Sequence, residues 1–277
     1  MWDNPSSYDG FEVWLDDEVF DTKNTYILPT KQVENVTIKP YIKHLRKKFK
    51  QESKAPLFLL DESKSLHLTL TTQKKDITIP STIDVVYVSS NPPTESTLFI
   101  QKRDRPIKIV LDHVLVVAKD AFIRFEAGSY KGLIIESLGD ENKITIDKKS
   151  AISLEGFSVL DATYVYLKGS APLHLIAGRG GDGRKGADAD FISHGRAGKQ
   201  GSMGGSGIKG DLVLINTTSS IHIKPGIGGA GGLGGTAGWY AFLAKRDGKQ
   251  GPPGERGLLI NYALSYTLIS GEIIELE

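Results

Sequence analysis

Two short stretches hold the side chains best suited to gripping a ligand. In WYAFLAKRD, Trp239, Tyr240 and Phe242 precede Lys245 and Arg246. Aromatic faces beside cations suit stacking on sugars or holding a protein surface. FISH adds Phe191 and His194 in a second loop. Both stretches lie between glycine-rich segments, so the same aromatics also suit a structural cap over that sequence. Receptor binding by these seven residues is the expected activity.

Other chemistry finds weaker support. Gly178-x-Gly180-x-x-Gly183 and Gly205-x-Gly207-x-x-Gly210 both satisfy GxGxxG. A dinucleotide loop must open a helix, so that the helix N-terminus can hold pyrophosphate. The second match runs instead into the strand-like DLVLI, and no P-loop occurs. GRKGADADF resembles a single calcium-binding nonapeptide, with Asp188 and Asp190 as oxygen donors. Such sites are built from stacked copies. His44, His67, His113, His174, His194 and His222 show no metal-ligand spacing. Asp112, Glu126 and Asp161 are the carboxylates considered for acid–base work on a sugar, but nothing separates them from surface charge. The expectation is a non-enzymatic protein without cofactor or metal.

The elements that position these residues fall into three zones. Residues 1–65 form an N-terminal docking or capping region. It opens acidic and aromatic and turns basic in KPYIKHLRKKFKQESK, where Ile42, Leu45 and Phe49 are spaced for an amphipathic helix. Residues 66–176 carry short alternating segments, from LHLTL and DITI through AISLE to YVYLKG and LHLIAG. They recur every 8–12 residues without Asn-Gly hairpin signals. A β-solenoid is expected there, with a sandwich as the alternative.

Residues 177–277 hold glycine at strict intervals of three. The runs are Gly180–Gly186, Gly195–Gly210, Gly226–Gly238 and Gly248–Gly257. Polyproline II is the regular backbone with three residues per turn and no internal hydrogen bonds. Glycine at every third place bares one face, so neighbouring backbones can approach and share hydrogen bonds. A collagen-like trimer and a flexible linker are the competing solutions. The expected fold is all-β: solenoid-like short strands, then a glycine-rich bundle of polyglycine or polyproline II helices with closing strands.

The pattern LIAGRGGDGRKG, followed by GRAGKQGSMGGSGIKGDLVLINTTSSIHIKPGIGGAGGLGG, resembles glycine-rich bacteriophage tail-fibre and tail-tip adhesins. The resemblance covers about residues 173–257. It implies a virion component for host attachment, whose loops between glycine runs touch a cell-surface receptor, protein or glycan. It further implies that the N-terminal region docks to a larger fibre or particle protein. A structural part of a secretion or surface assembly, and a polysaccharide-degrading β-solenoid enzyme, are the alternatives.

Composition sets outer bounds. A net charge of +1 gives no global pull toward nucleic acid or membrane. The absence of cysteine excludes disulfides and thiolate metal sites. MWDNPSSYDGFEVW lacks a signal-peptide core, so synthesis in the cytoplasm and residence on a virion or extracellular particle are expected. The apolar stretch LLINYALSYTLIS is too short and too polar to span a bilayer.

Overall fold

Alternation of apolar and polar residues sets the backbone over much of this chain. The computed structural model describes strands within residues 10–54 and residues 60–277 apart from 72–75, 91–92, 190–193 and 238–245. Among the described residues there is no helix. The chain divides into two units, Met1–Leu59 and Leu60–Glu277.

The first unit holds β1 (Gly10–Leu15), β2 (Glu18–Thr22), β3 (Val36–Ile42), β4 (Lys47–Lys48) and β5 (Ser53–Lys54). They form one antiparallel sheet in the order β2-β1-β3-β4, with β5 also on β3. This corrects the amphipathic helix expected over 39–54. Pro40 disfavours a helix interior, because it lacks an N–H and crowds the preceding turn. In β3, Tyr41 and Ile42 pair with β4, while Thr37 and Ile38 pair with β5. Pro40 falls in the gap between those two partners, a place in a sheet that proline tolerates.

The second unit begins with β6 (Ser65–Leu70), β7 (Ile77–Ile79), β8 (Val85–Ser90), β9 (Leu98–Ile100) and β10 (Ile107–Asp112). Next come β11 (Leu115–Ala118), β12 (Ile123–Phe125), β13 (Gly132–Leu138), β14 (Asn142–Ile146) and β15 (Leu160–Asp161). β16 (Tyr164–Gly169), β17 (Leu173–Ile176), β18 (Ile208–Lys224) and β19 (Ile260–Glu275) complete it. All of its strand pairs are parallel. Eleven strands form one sheet, curled as a half-barrel, and β7, β9 and β12 form a separate three-stranded sheet.

The curl is written into β18. Its start pairs with β15, its middle with β16 and its end with β17. Residues with positive φ mark the bend in other strands: His113 after β10, Gly139 after β13, Gly169 ending β16 and Gly271 within β19. At Gly169 φ is 132°, and a Cβ would lie 2.1 Å from the Ser137 carbonyl oxygen, so only glycine fits. Asn142 pins the same bend from inside. Its amide donates to Ser137 Oγ and the Leu138 carbonyl, both at 2.8 Å, and its oxygen accepts from Val114 N at 2.8 Å.

Parallel register stacks like positions into columns. Leu66, Val86, Ile109, Ile135, Leu167, Ile215 and Leu268 follow one another across the sheet. Val86, Ile109, Ile135 and Ile215 are fully buried. Each such side chain contributes about 1.5–3 kcal/mol by leaving water. On the outer face Lys108 lies between Glu136 at 2.7 Å and Glu62 at 3.2 Å, and Lys168 meets Glu136 at 3.3 Å.

The expected sequence of a solenoid and then a bundle of polyglycine or polyproline II helices is overturned. The sheet is a curled parallel half-barrel, and apart from residues 208–210, which open β18, no glycine run is a helix or a strand among the described residues. The runs are connections within the sheet. One follows β17, one leads into β18, one leaves β18 and one leads into β19. Strands β17, β18 and β19 pair with one another, so the runs cannot form a domain that follows the sheet.

Candidate functional site

The two stretches singled out by their aromatics are flanked in sequence by glycine runs, so the runs determine where the flanking residues lie. Residues 178–187, 195–207, 226–235 and 248–257 lie side by side, each bonded to other runs. Gly226, Gly229, Gly232 and Gly235 donate to the carbonyls of Gly205, Ser202, Lys199 and Arg196. Gly248, Gly251, Gly254 and Gly257 donate to those of Gly235, Gly232, Gly229 and Gly226. Gly180, Gly183 and Gly186 donate to Ile227, Ala230 and Leu233. Donor numbers rise as acceptor numbers fall in the first two series and rise together in the third, so consecutive runs are antiparallel.

Bare backbone is required for this spacing. A Cβ on Gly231 would sit 1.7 Å from the Gly251 carbonyl oxygen. Each run thus spends its backbone donors on a neighbour, which offsets the conformational entropy that ordered glycine loses. Side-chain carboxylates join the same lattice. Asp182 Oδ1 accepts from Ala230 N and Asp188 Oδ1 from Thr236 N, both at 2.8 Å. Hydrogen bonds from Lys185, then from Thr236, hold the Asp188 carboxyl down at about 2. Asp188 therefore serves as a lattice partner. Asp190, its companion in the calcium reading, lies outside the described residues. Among the described residues no group of three or more acidic or histidine side chains is placed to hold a metal ion.

At one end of the lattice the flanks of both loops meet. Arg246 N donates to His194 Nδ1 at 3.1 Å, and Gly195 N donates to the Arg246 carbonyl at 3.2 Å. Ala189 N reaches the Thr236 carbonyl at 2.8 Å, and Ala237 N reaches Asp247 Oδ1 at 2.7 Å. His194 and Arg246 are exposed. Two of the seven expected binding residues are thus brought together. Phe191, Trp239, Tyr240, Phe242 and Lys245 lie outside the described residues. The described residues that flank 190–193 and 238–245 in sequence lie at this shared end.

The three carboxylates considered for acid–base chemistry do not converge. Asp112 Oδ1 meets His113 Nδ1 at 2.6 Å at the bend of the sheet. Glu126 accepts from Lys102 N at 2.8 Å. Asp161 lies 3.9 Å from Lys209 on the outer face of β15. Sequence reading missed the Asp112–His113–Asp140 cluster, in which His113 Nε2 reaches Asp140 at 3.3 Å. The adjacent Asp112–His113 pair was its only local signal, because Asp140 arrives from the next layer.

Two histidines respond to these surroundings in opposite ways. Hydrogen bonds to Asp112 and then Asp140 raise the His113 pKa. Burial, then His222 stacked on it at 4.3 Å, lowers that of His174. Proton NMR titration should therefore show His113 titrating above the usual ~6.5 and His174 below it. What His113 contributes to stability is complete below ~6.5 and fades as pH rises through its higher folded value. What neutral His174 contributes is present above ~6.5 and fades as pH falls through its lower one.

Comparison with family models, with curated proteins and with solved structures found no match for this chain. No helix among the described residues is long and apolar enough to cross a membrane.

Proposed function

We propose that this protein is a non-enzymatic receptor-binding component of a phage tail fibre or phage-like particle. The loops at 190–193 and 238–245 contact a protein or glycan receptor on the host cell. The N-terminal region docks to a larger fibre or particle protein. The glycine lattice is the stiff support for the receptor-binding end, and rigid scaffolds presenting loops are a general recognition arrangement. One observation carries the reading: His194 and Arg246, which flank the two aromatic stretches in sequence, are bonded to each other at one exposed end.

Replacing Trp239 and Tyr240 together by alanine is expected to reduce binding to host cells at least ~10-fold, as loss of central aromatic contacts does. The thermal midpoint should stay unchanged. Undiminished adsorption by that variant removes these residues from the site. Lost adsorption together with a lowered midpoint assigns them to the structural cap instead.

A second reading, a structural part of a secretion or surface assembly, is favoured by the edge of β19. Among the described residues β18 is its only strand partner. Tyr262, Leu264, Leu268 and Ile269 are 51%, 67%, 41% and 44% exposed, and residues 258–271 carry no charge. Natural edges are usually guarded by charge or proline. Analytical ultracentrifugation separates the readings: concentration-dependent polymers with no cell binding favour assembly, and a cell-binding monomer favours the adhesin.

A further inference from the structure

The three-stranded sheet does not join the part of the large sheet that holds β15, β18 and β19. On one side of the break β7, β9 and β12 pair, and Thr78, Phe99 and Arg124 stand in register on their outer face. On the other side Asp161, Lys209 and Asn261 form a second outward column across β15, β18 and β19. Their inward neighbours Leu98, Ile100, Leu160 and Ile208 are buried, which fixes these columns as outward. No strand pairing joins β12 to β15 among the described residues.

A cleft of about 450 Å³ fills the break. It continues into a second depression of about 160 Å³ that shares Lys131, Asp161, Lys209 and Asn261. The groove is lined from five strands, β9 and β12 on one side of the break and β15, β18 and β19 on the other. The half-buried rings of Phe99, Phe125 and Phe157 line it. Lys148 lies over the Phe157 ring at 5.5 Å and bonds Asp120 at 3.5 Å. Arg124 meets the same Asp120 at 2.5 Å. Arg124, Lys131 and Lys209 in the lining are matched by Asp120, Glu155 and Asp161.

This combination narrows the ligand. Three cations against three carboxylates favour neither a polyanion nor a polycation. Phenyl faces want flat apolar C–H surfaces, and the polar groups want a dense set of hydroxyls that both donate and accept. A groove lined by successive strands wants an extended chain. We infer that this groove binds a linear, uncharged oligosaccharide, at a site separate from the loop end of the glycine lattice. The rings stack on sugar faces while Asp161, Lys209 and Asn261 bond hydroxyls along the chain.

Isothermal titration of the full chain with cellohexaose, maltohexaose and chitohexaose tests this. At least one should bind with a dissociation constant of about 1 mM or tighter. Asp161→Ala, at an exposed position that folding tolerates, and Phe157→Ala should each weaken that binding several-fold or more. The Trp239→Ala/Tyr240→Ala protein should bind the hexaose unchanged, which separates this groove from the proposed receptor loops. The inference is overturned if none of the three hexaoses binds, or if binding survives both groove substitutions. It is equally overturned if the loop substitutions abolish binding, or if an extended peptide, paired with the open edge of β12, occupies the groove in place of the sugars.

Discussion

Replacing Gly229 by alanine is expected to destabilise the protein by more than about 4 kcal/mol, or to prevent folding altogether. The added Cβ would lie 1.9 Å from the Gly181 carbonyl oxygen and 2.3 Å from its carbon. No side-chain rotation relieves a clash with backbone, so a whole run must move. That movement cannot stay local. Gly229 N donates to Ser202 O at 2.9 Å, and Gly254 N donates to Gly229 O at 2.8 Å, so the run is tied to two others as well. The same substitution two residues earlier gives the control. Ile227 is 55% exposed, and Ile227→Ala keeps the carbonyl that Gly180 N uses. Its cost should fall within about 0.5 kcal/mol of zero. Denaturant unfolding of both variants, with solubility as the readout should Gly229→Ala not fold, makes the comparison. Equal effects would mean that close backbone approach is not what the glycines provide.

Asp84→Ala should cost about 3–5 kcal/mol, the loss expected when one partner of a buried ion pair is removed. Asp84 is fully buried, and both of its oxygens are engaged. Oδ1 meets Arg103 Nη2 at 3.2 Å and Arg105 Nε at 2.9 Å, while Oδ2 accepts from Asp61 N at 3.1 Å. The Arg103 side chain is 1% exposed and donates further to the carbonyls of Ile83 and Arg105 at 2.9 Å. Burial pulls its pKa down, and Asp84 opposes that pull. Without Asp84 the guanidinium keeps its desolvation cost and loses its counter-charge. Removing both charges should therefore cost less than removing one. Asp84→Ala/Arg103→Leu is expected to be more stable than Asp84→Ala alone, measured by denaturant midpoint. A double variant less stable than the single one would assign the loss to packing.

Local alternation made most strands legible. IKIVL became β10, LIIES became β13 and YVYLKG became β16. AISLE did not become a strand, and the reason is tertiary. Ser150 and Ser153 donate to the carbonyls of Arg179 and Asp182 in a glycine run, which draws the segment off the sheet and leaves Ile152 and Leu154 exposed. Ile42, Leu45 and Phe49 are spaced for a helix, but Pro40 disfavours one there, and β3, β4 and β5 occupy the stretch instead. The interval of three between glycines pointed to sideways backbone bonding within one chain. It said nothing of where the runs attach. That depends on β18 running unbroken past β15, β16 and β17, a long-range pairing that no local pattern encodes. For the site, the aromatic loops were visible in sequence, whereas the meeting of His194 and Arg246 required antiparallel runs to bring residues 52 positions apart to one end. The groove beside Asp161 left no local signal, because its walls come from five separate strands.

Residue-resolved amide hydrogen exchange of dilute protein tests most directly whether the glycine runs hold one another within a single molecule. Gly251, Gly254 and Gly257 donate to carbonyls of another run, while their neighbours Gln250 and Glu255 are exposed. The three glycine amides should exchange slowly at every protein concentration, with Gln250 and Glu255 fast. Coil-like exchange along the whole run, or protection that appears only as concentration rises and sister chains associate, would contradict the account.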